Sequence, residues 1–186
     1  MPFKRKGVYQ MIKTTVIETP LGEMKAAAVN EGICLLAFAD SQNLSSELEE
    51  LERIFGSGIR PGSNWHLWAL KRQLKEYFKG KRKVFSLKLV TPGTDFQKEV
   101  WNGLKEIPYG STISYHEQAE KLNNPGAVRA VGHANGSNRI AIVIPCHRVI
   151  GSDGNLTGYG GGLDRKRWLI DNEKKYSGKP VDGILF

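Results

Sequence analysis

The chain has 186 residues, 40% hydrophobic and 25% charged, enough apolar material for one substantial core or two small ones and too little for a large multidomain assembly. No stretch approaches the roughly 18 consecutive apolar residues of a membrane span, and the two cysteines, Cys34 and Cys146, show no CxxC or Cys/His spacing of a zinc site or disulfide scaffold. The net charge of +8 suits a polyanionic partner, but the excess sits mainly in residues 4–6 and 79–83 and locates no binding face by itself. With a basic start that lacks the apolar segment of a secretion signal, the reading is a soluble intracellular protein.

Residues 14–40 read as an antiparallel meander, with strands over 14–19, 23–29 and 33–38 separated by Pro20-Leu21-Gly22 and Asn30-Glu31-Gly32 turns. A helix is predicted over 46–55, with Ser46 and Glu49 at capping-box spacing and Leu44, Leu48, Leu51 and Phe55 on one face. After a break at 56–62 a second helix runs over 64–79, with Leu67, Leu70, Leu74 and Tyr77 along one side, and residues 84–90 return as a strand. Thr91-Pro92-Gly93 marks a boundary, because the rest of the chain changes to short capped helices and glycine-rich turns. The divisions are a basic tail over 1–12, an N-terminal domain over 13–91, a C-terminal domain over 92–175 and a tail over 176–186.

Thr94 with Gln97 and Ser114 with Glu117 have capping-box spacing before helices at 96–104 and 115–122. The turn Asn123-Asn124-Pro125-Gly126 then leads into a small-residue helix over 127–135 that carries Arg129, a pattern matched by a DNA-binding helix-turn-helix and also by ordinary helix packing. Six glycines fall within residues 151–162, where the backbone can approach a ligand closely, and a final helix spans 163–173.

The most informative stretch is 140–150, an apolar run interrupted by Pro145-Cys146-His147-Arg148. A cysteine beside a histidine and an arginine is expected to have a lowered thiol pKa and to attack carbon as thiolate. The alternative is a packed core cysteine beside a surface His-Arg pair. Neighbouring side chains diverge, so His147 is expected to act through a water, with a carboxylate to orient it; Glu173 is one of several candidates that spacing cannot separate.

Pro145-Cys146-His147-Arg148-Val149 resembles the active-site signature of the O6-alkylguanine-DNA alkyltransferases, the methylated-DNA-protein-cysteine methyltransferases. The resemblance covers 94–173 and includes Phe96-Gln97-Lys98-Glu99-Val100-Trp101, Ile107-Pro108-Tyr109-Gly110, Ser114-Tyr115, Arg129-Ala130-Val131-Gly132, Asn135-Gly136-Ser137-Asn138, Thr157-Gly158-Tyr159 and Arg165-Lys166. It implies an α+β fold: a small N-terminal antiparallel sheet with helices, ribonuclease-H-like, and a helical, winged-helix-like C-terminal helix-turn-helix domain.

The resemblance further implies that Cys146 accepts the alkyl group irreversibly from O6-alkylguanine, or O4-methylthymine, in double-stranded DNA, and that the protein is consumed. His147 then activates Cys146 through a water, Glu173 orients His147, Asn138 bridges the recognition helix to the site, and Tyr115 crowds the target phosphate and assists protonation of the departing base. Arg129 replaces the flipped base in the duplex, with Ala130, Gly132, Tyr115 and Asn124 completing the DNA-binding set and Pro145, Val149, Tyr159 and Gly160 the substrate pocket. The recognition helix enters the minor groove, which suits the small residues Ala127, Ala130, Gly132, Ala134 and Gly136. Flipping is required because the O6 carbon lies within the stack.

Many family members have serine where this chain has Gly160, so a hydroxyl contact is lost and a roomier pocket is expected. No cofactor or metal is implied; Cys34 is read as a buried core residue. The expected protein is a monomer without membrane association, cytoplasmic in a bacterium and nuclear in a eukaryote. A non-enzymatic helix-turn-helix lesion sensor or transcriptional regulator is the competing reading, although it leaves Pro145-Cys146-His147-Arg148 without a role. A cysteine hydrolase is a third, separated by its need for repeated turnover.

Overall fold

Two short turns set the register of the N-terminal sheet. The computed structural model describes residues 11–178, so most of the expected tails over 1–12 and 176–186 lies outside the described residues, while Ile12 already belongs to the first strand and Tyr176 and Ser177 to the last helix. Strands β1 (Ile12–Thr19), β2 (Gly22–Val29) and β3 (Gly32–Phe38) form the predicted antiparallel meander. A short strand not anticipated within the break, β4 (Ile59–Pro61), pairs parallel with β1 and gives the order β3-β2-β1-β4.

Alternation assigns the two faces of the sheet. Met24, Ala26, Ala28, Ile33, Leu36 and Phe38 enter the main core, whereas Ala27, Val29, Cys34, Leu35 and Ala37 pack with Leu51 of helix α1 (Leu44–Phe55) on the other side. Cys34 and Leu35 share a face because the β2–β3 register shifts between Ala27 and Ala28, a bulge that absorbs one residue. Cys34 is fully buried, and burial pushes its thiol up to about 12. The expected capping box at Ser46 does not form. α1 begins two residues earlier, after Asn43, and the Ser46 hydroxyl donates instead to the Asn43 carbonyl at 2.8 Å.

Helix α2 (Trp65–Phe78) is capped by the Asn64 side chain and lays Leu67, Leu70, Leu74 and Tyr77 onto the sheet. The strand expected over 84–90 is reduced to a single bridge, Ile33 with Leu89. The outer edge of β3 is divided: Ile33 exchanges hydrogen bonds with Lys88 and Val90, and Leu36 does so with Arg139 and Ala141. Gly32 permits the first approach, since a Cβ there would lie 2.4 Å from the Lys88 carbonyl oxygen.

Both C-terminal capping boxes form, at Thr94/Gln97 for α3 (Asp95–Glu106) and at Ser114/Glu117 for α4 (Tyr115–Lys121). A single 3-10 turn at Pro125–Ala127 leads into α5 (Val128–Gly136). The α4–α5 angle is held by a buried amide pair, in which Asn135 Nδ2 donates to Gln118 Oε1 at 2.7 Å, and Trp101 of α3 donates its indole N–H to the Ala134 carbonyl at 2.7 Å. Strands β5 (Ile113–Ser114) and β6 (Val149–Ile150) make a short parallel pair. Helix α6 (Leu163–Ser177) continues past its expected end at Glu173 and stops at Gly178, whose φ is +78°. No described helix is long and apolar enough to cross a membrane.

The sheet and the C-terminal helices share one core, in which Phe38, Leu74, Val100, Ile144 and Leu169 belong to a continuous cluster. Arg165 of α6 fastens the same junction: its guanidinium donates to both Asp40 carboxylate oxygens at 2.8 and 2.9 Å and to the Leu21 carbonyl, while lying 4.2 Å from the Phe38 ring centroid.

Candidate active site

Residues 138–148 are shaped by two tight three-residue turns. Val143 N–H donates to the Ala141 carbonyl around Ile142, whose φ of +70° is strained for a β-branched residue. Cys146 N–H donates to the Ile144 carbonyl around Pro145, with φ −85° and ψ 61°, an inverse γ-turn that proline's fixed φ favours. Asn138, just beyond α5, ties these turns to the helix. Its Oδ1 accepts from Ile140 N–H at 3.0 Å, and its Nδ2 donates to the Ile144 carbonyl at 2.8 Å and to Cys146 Sγ at 3.2 Å.

A 3-10 turn (Cys146–Arg148) then sends neighbouring side chains to different places. Cys146 is partly buried and lines a cavity of about 40 Å³ with Asn138, Tyr159, Gly160 and Gly161. His147 and Arg148 turn inward to Glu173, so the surface His-Arg alternative fails. The expectation of a lowered thiol pKa also fails. Burial raises the Cys146 thiol, and the opposing effects of the Asn138 hydrogen bond and the Lys166 ammonium do not overcome it. Arg148 is committed to Glu173, the Ile107 carbonyl and the Tyr109 ring, 5.7 Å away.

Glu173 is the hub of the interior. It is 1% exposed, and its two oxygens accept from five described donors: Tyr77 Oη (2.8 Å), His147 Nε2 (2.8 Å), Arg148 Nε and Nη2 (2.8 and 2.9 Å) and Gly110 N–H (3.0 Å). Burial alone would raise its pKa, but the hydrogen bonds and charges of His147 and Arg148 outweigh it and bring the carboxyl to about 2. An ionised carboxylate can only accept, so His147 Nε2 carries a hydrogen. Burial, with Arg148 and Lys166, holds the His147 pKa below 6.5 despite Glu173. The imidazole is therefore neutral at pH 7, and Nδ1, which bonds no atom of the described residues, is its basic nitrogen.

Two of these partners were not anticipated. Tyr77 comes from the N-terminal domain, and no local pattern pairs it with a residue of the last helix. Lys166 is fully buried; its ammonium donates to the Thr157 carbonyl at 2.6 Å and lies 5.7 Å from the Tyr115 ring centroid, and burial lowers its pKa to about 8. Tyr115 donates to the same Thr157 carbonyl at 3.2 Å, and burial raises its pKa. The Tyr159 hydroxyl is buried without a hydrogen-bond partner among the described residues.

The expected pocket divides. Tyr159 and Gly160 line the Cys146 cavity, whereas Pro145 faces a separate cavity with Phe85 and Tyr109, and Val149 is fully buried in the β5–β6 pair. The γ-turn at Pro145 causes this by directing the ring away from the thiol. On α5, Arg129, Ala130, His133 and Gly136 are exposed on one side, and Asn124 is exposed in the preceding turn. Ala134 instead packs inward, and Gly132 is half-buried beside the Tyr115 ring, so neither belongs to the bare outer face. His133 joins it unanticipated.

Comparison with known proteins agrees with this geometry. The family model described as 6-O-methylguanine DNA methyltransferase, ribonuclease-like domain, matches residues 12–91, and the DNA binding domain of the same family matches residues 95–175. The methylated-DNA–protein-cysteine methyltransferase of Mycolicibacterium paratuberculosis is 42% identical, over 95% of this chain and 99% of its own, and that of Methanosarcina acetivorans is 44% identical, over 85% and 96%. The crystal structure of the Mycobacterium tuberculosis O6-methylguanine methyltransferase superposes with a TM-score of 0.76 at 41% identity, covering 92% of this chain and 97% of that one. The Mycobacterium tuberculosis OGT in complex with DNA gives 0.75 at 40%, covering 89% and 94%. Both halves of the chain, and the cysteine centre between them, therefore belong to the 6-O-methylguanine DNA methyltransferase family.

Proposed function

We propose that this protein repairs DNA by direct reversal, moving the alkyl group of O6-alkylguanine, and of O4-methylthymine, from double-stranded DNA onto Cys146 once per molecule. The observation that carries this reading is the buried proton path: Glu173 fixes the Nε2 hydrogen of a neutral His147 and leaves Nδ1 as a base. A water passes the thiol proton to Nδ1. The sulfur electron pair attacks the alkyl carbon as the S–C bond forms and the C–O6 bond breaks, and the electrons of that bond go to the guanine. Tyr115, kept protonated by its raised pKa, gives the base its proton, and the proton held on His147 replaces it. Lys166 favours the thiolate and holds the carbonyls on which Tyr115 rests. The thioether has no hydrolytic route back to a thiol, so each molecule acts once.

The O6 carbon must leave the stack to reach Cys146, and a lesion that pairs badly is the easier to extrude. In this reading the exposed face of α5 enters the minor groove, Arg129 fills the vacated place in the duplex, Ala130 allows close approach and Asn124 meets the backbone. The protein acts intracellularly as a monomer.

Intact-protein mass spectrometry after incubation with excess duplex carrying one O6-methylguanine tests the proposal. The expected result is one methyl group per chain, mapped to Cys146, with C146A still binding the duplex but gaining no mass. Tight binding without mass gain in the unsubstituted protein indicates a lesion sensor or regulator and overturns the proposal, as does continued turnover.

A further inference from the structure

Helix α2 presents an outer face that neither the core nor the Cys146 site uses. Trp65 and Trp68 are 75% and 71% exposed on it, although indole rings this large are normally well buried. Lys71, Arg72 and Lys75 continue the same face, and Trp68, Lys71, Arg72 and Lys75 line a groove of about 470 Å³ whose other walls are Thr15, Leu67 and Ser63. Lys13 adds a further cation at the groove's end, its ammonium donating to the Ser63 carbonyl at 3.2 Å. The single acid of α2, Glu76, is held by Arg82 at 2.7 Å and only distantly by Arg72 at 3.9 Å, so the positive charge of Lys71 and Lys75 stands uncompensated within the helix.

We infer that this groove is a second nucleic-acid surface, one that holds single-stranded DNA or RNA without reading its sequence. Trp68 lines the groove and Trp65 lies about one turn away on the same exposed helix face, so two indoles offer places where any base can stack. Lys71 and Lys75 lie about one helical turn, 5.4 Å, apart and can follow successive phosphates of an extended strand. The Thr15 and Ser63 hydroxyls on the opposite wall offer hydrogen bonds to sugar and phosphate oxygens. The apolar part of the patch is confined to two rings set among cations, which fits stacked bases and lacks the broad apolar band by which an amphipathic helix enters a lipid surface. The groove belongs to the sheet domain and shares no residue with α5, so it holds strand while the recognition helix is free.

The test is titration of the whole protein with lesion-free oligothymidylate, read by tryptophan fluorescence and by anisotropy of labelled strand. Trp101 is buried and Trp168 half-buried, so Trp65 and Trp68 dominate the quenching. Binding is expected to quench fluorescence, to weaken with salt and to fall at least tenfold in W65A/W68A and several-fold in K71Q/K75Q, and to persist in R129A. Single-turnover transfer from a short methylated duplex, measured on the same samples, is expected to stay within twofold in W65A/W68A, which shows that the variant is folded. Oligothymidylate binding that is unchanged in W65A/W68A, or lost in R129A alone, overturns the inference. So does quenching by phosphatidylserine vesicles where the oligonucleotide produces none.

Discussion

The two sides of the Cys146–His147 peptide bond are built in opposite ways. Toward Glu173 everything is over-determined, with a fully buried carboxylate saturated by donors from α2, the turn before β5 and the 3-10 turn. Toward the cavity the lining includes Gly136, Gly160, Gly161 and Tyr159, whose hydroxyl has no hydrogen-bond partner among the described residues. The rigid side fixes which nitrogen of His147 carries a proton, and the loose side is where the proposed reaction places the incoming base. Rigidity is concentrated where protons are managed and withheld where shape must adapt.

Substitution on the rigid side gives the largest effects. E173Q leaves Arg148 buried without its carboxylate and loosens the His147 tautomer, and is expected to cost about 3–5 kcal/mol of stability along with most of the alkyl transfer; denaturant unfolding and single-turnover rates measure both. Stability near the wild-type value would show that the hub is not what holds this side.

Acid attacks the same hub in two steps. His147 is buried neutral with its pKa held below the ordinary 6.5, so the unfolded chain binds the extra proton first and stability falls as pH drops below 6.5. Glu173, at about 2 in the fold against 4.5 unfolded, withdraws a further contribution as pH falls from 4.5 toward 2, on the order of 3 kcal/mol. Urea midpoints measured across that range should decline in both windows, and the lower step should be missing in E173Q.

Smaller is the effect of Y77F, which removes one of three donors competing for Glu173 Oε1. A loss of about 1–2 kcal/mol is expected, with a several-fold slower transfer whose pH profile shifts because His147 then has that oxygen to share only with Arg148. An unshifted profile would make Tyr77 merely structural. On the loose side, G160S is expected to fold normally, since a Cβ at Gly160 meets nothing within 4 Å. It should change the ratio of transfer rates on methyl and benzyl lesions, measured in competition; an unchanged ratio would remove Gly160 from the determinants of substrate size.

Local chemistry was readable in the chain where it is local in space. The Thr94/Gln97 and Ser114/Glu117 boxes form because each joins a side chain to a backbone group three residues away. Ser46 and Glu49 have the same spacing and fail, because Leu44 has already entered the helix. Proximity along the chain misled at Cys146, where the adjacent histidine and arginine turn inward and burial sets the direction of the thiol pKa. Tyr77 was legible only as one more apolar position on the buried stripe of α2, since its hydroxyl meets a carboxylate 96 residues later. Lys166 stood within a family motif, but its burial depends on how α6 packs against the loop carrying Thr157.

The divided edge of β3 has a consequence for synthesis. During translation the sheet leaves the ribosome first, and the backbone groups of Leu36 meet their partners, Arg139 and Ala141, only when the chain has grown past the helix-turn-helix. Until then the Leu36 part of the β3 edge is open, beside an apolar face that α2 covers only in part and that awaits Val100, Ile144 and Leu169. The nascent N-terminal half is thus the aggregation-prone species, and conditions that slow elongation between residues 90 and 140 should lower the soluble yield more than slowing elsewhere.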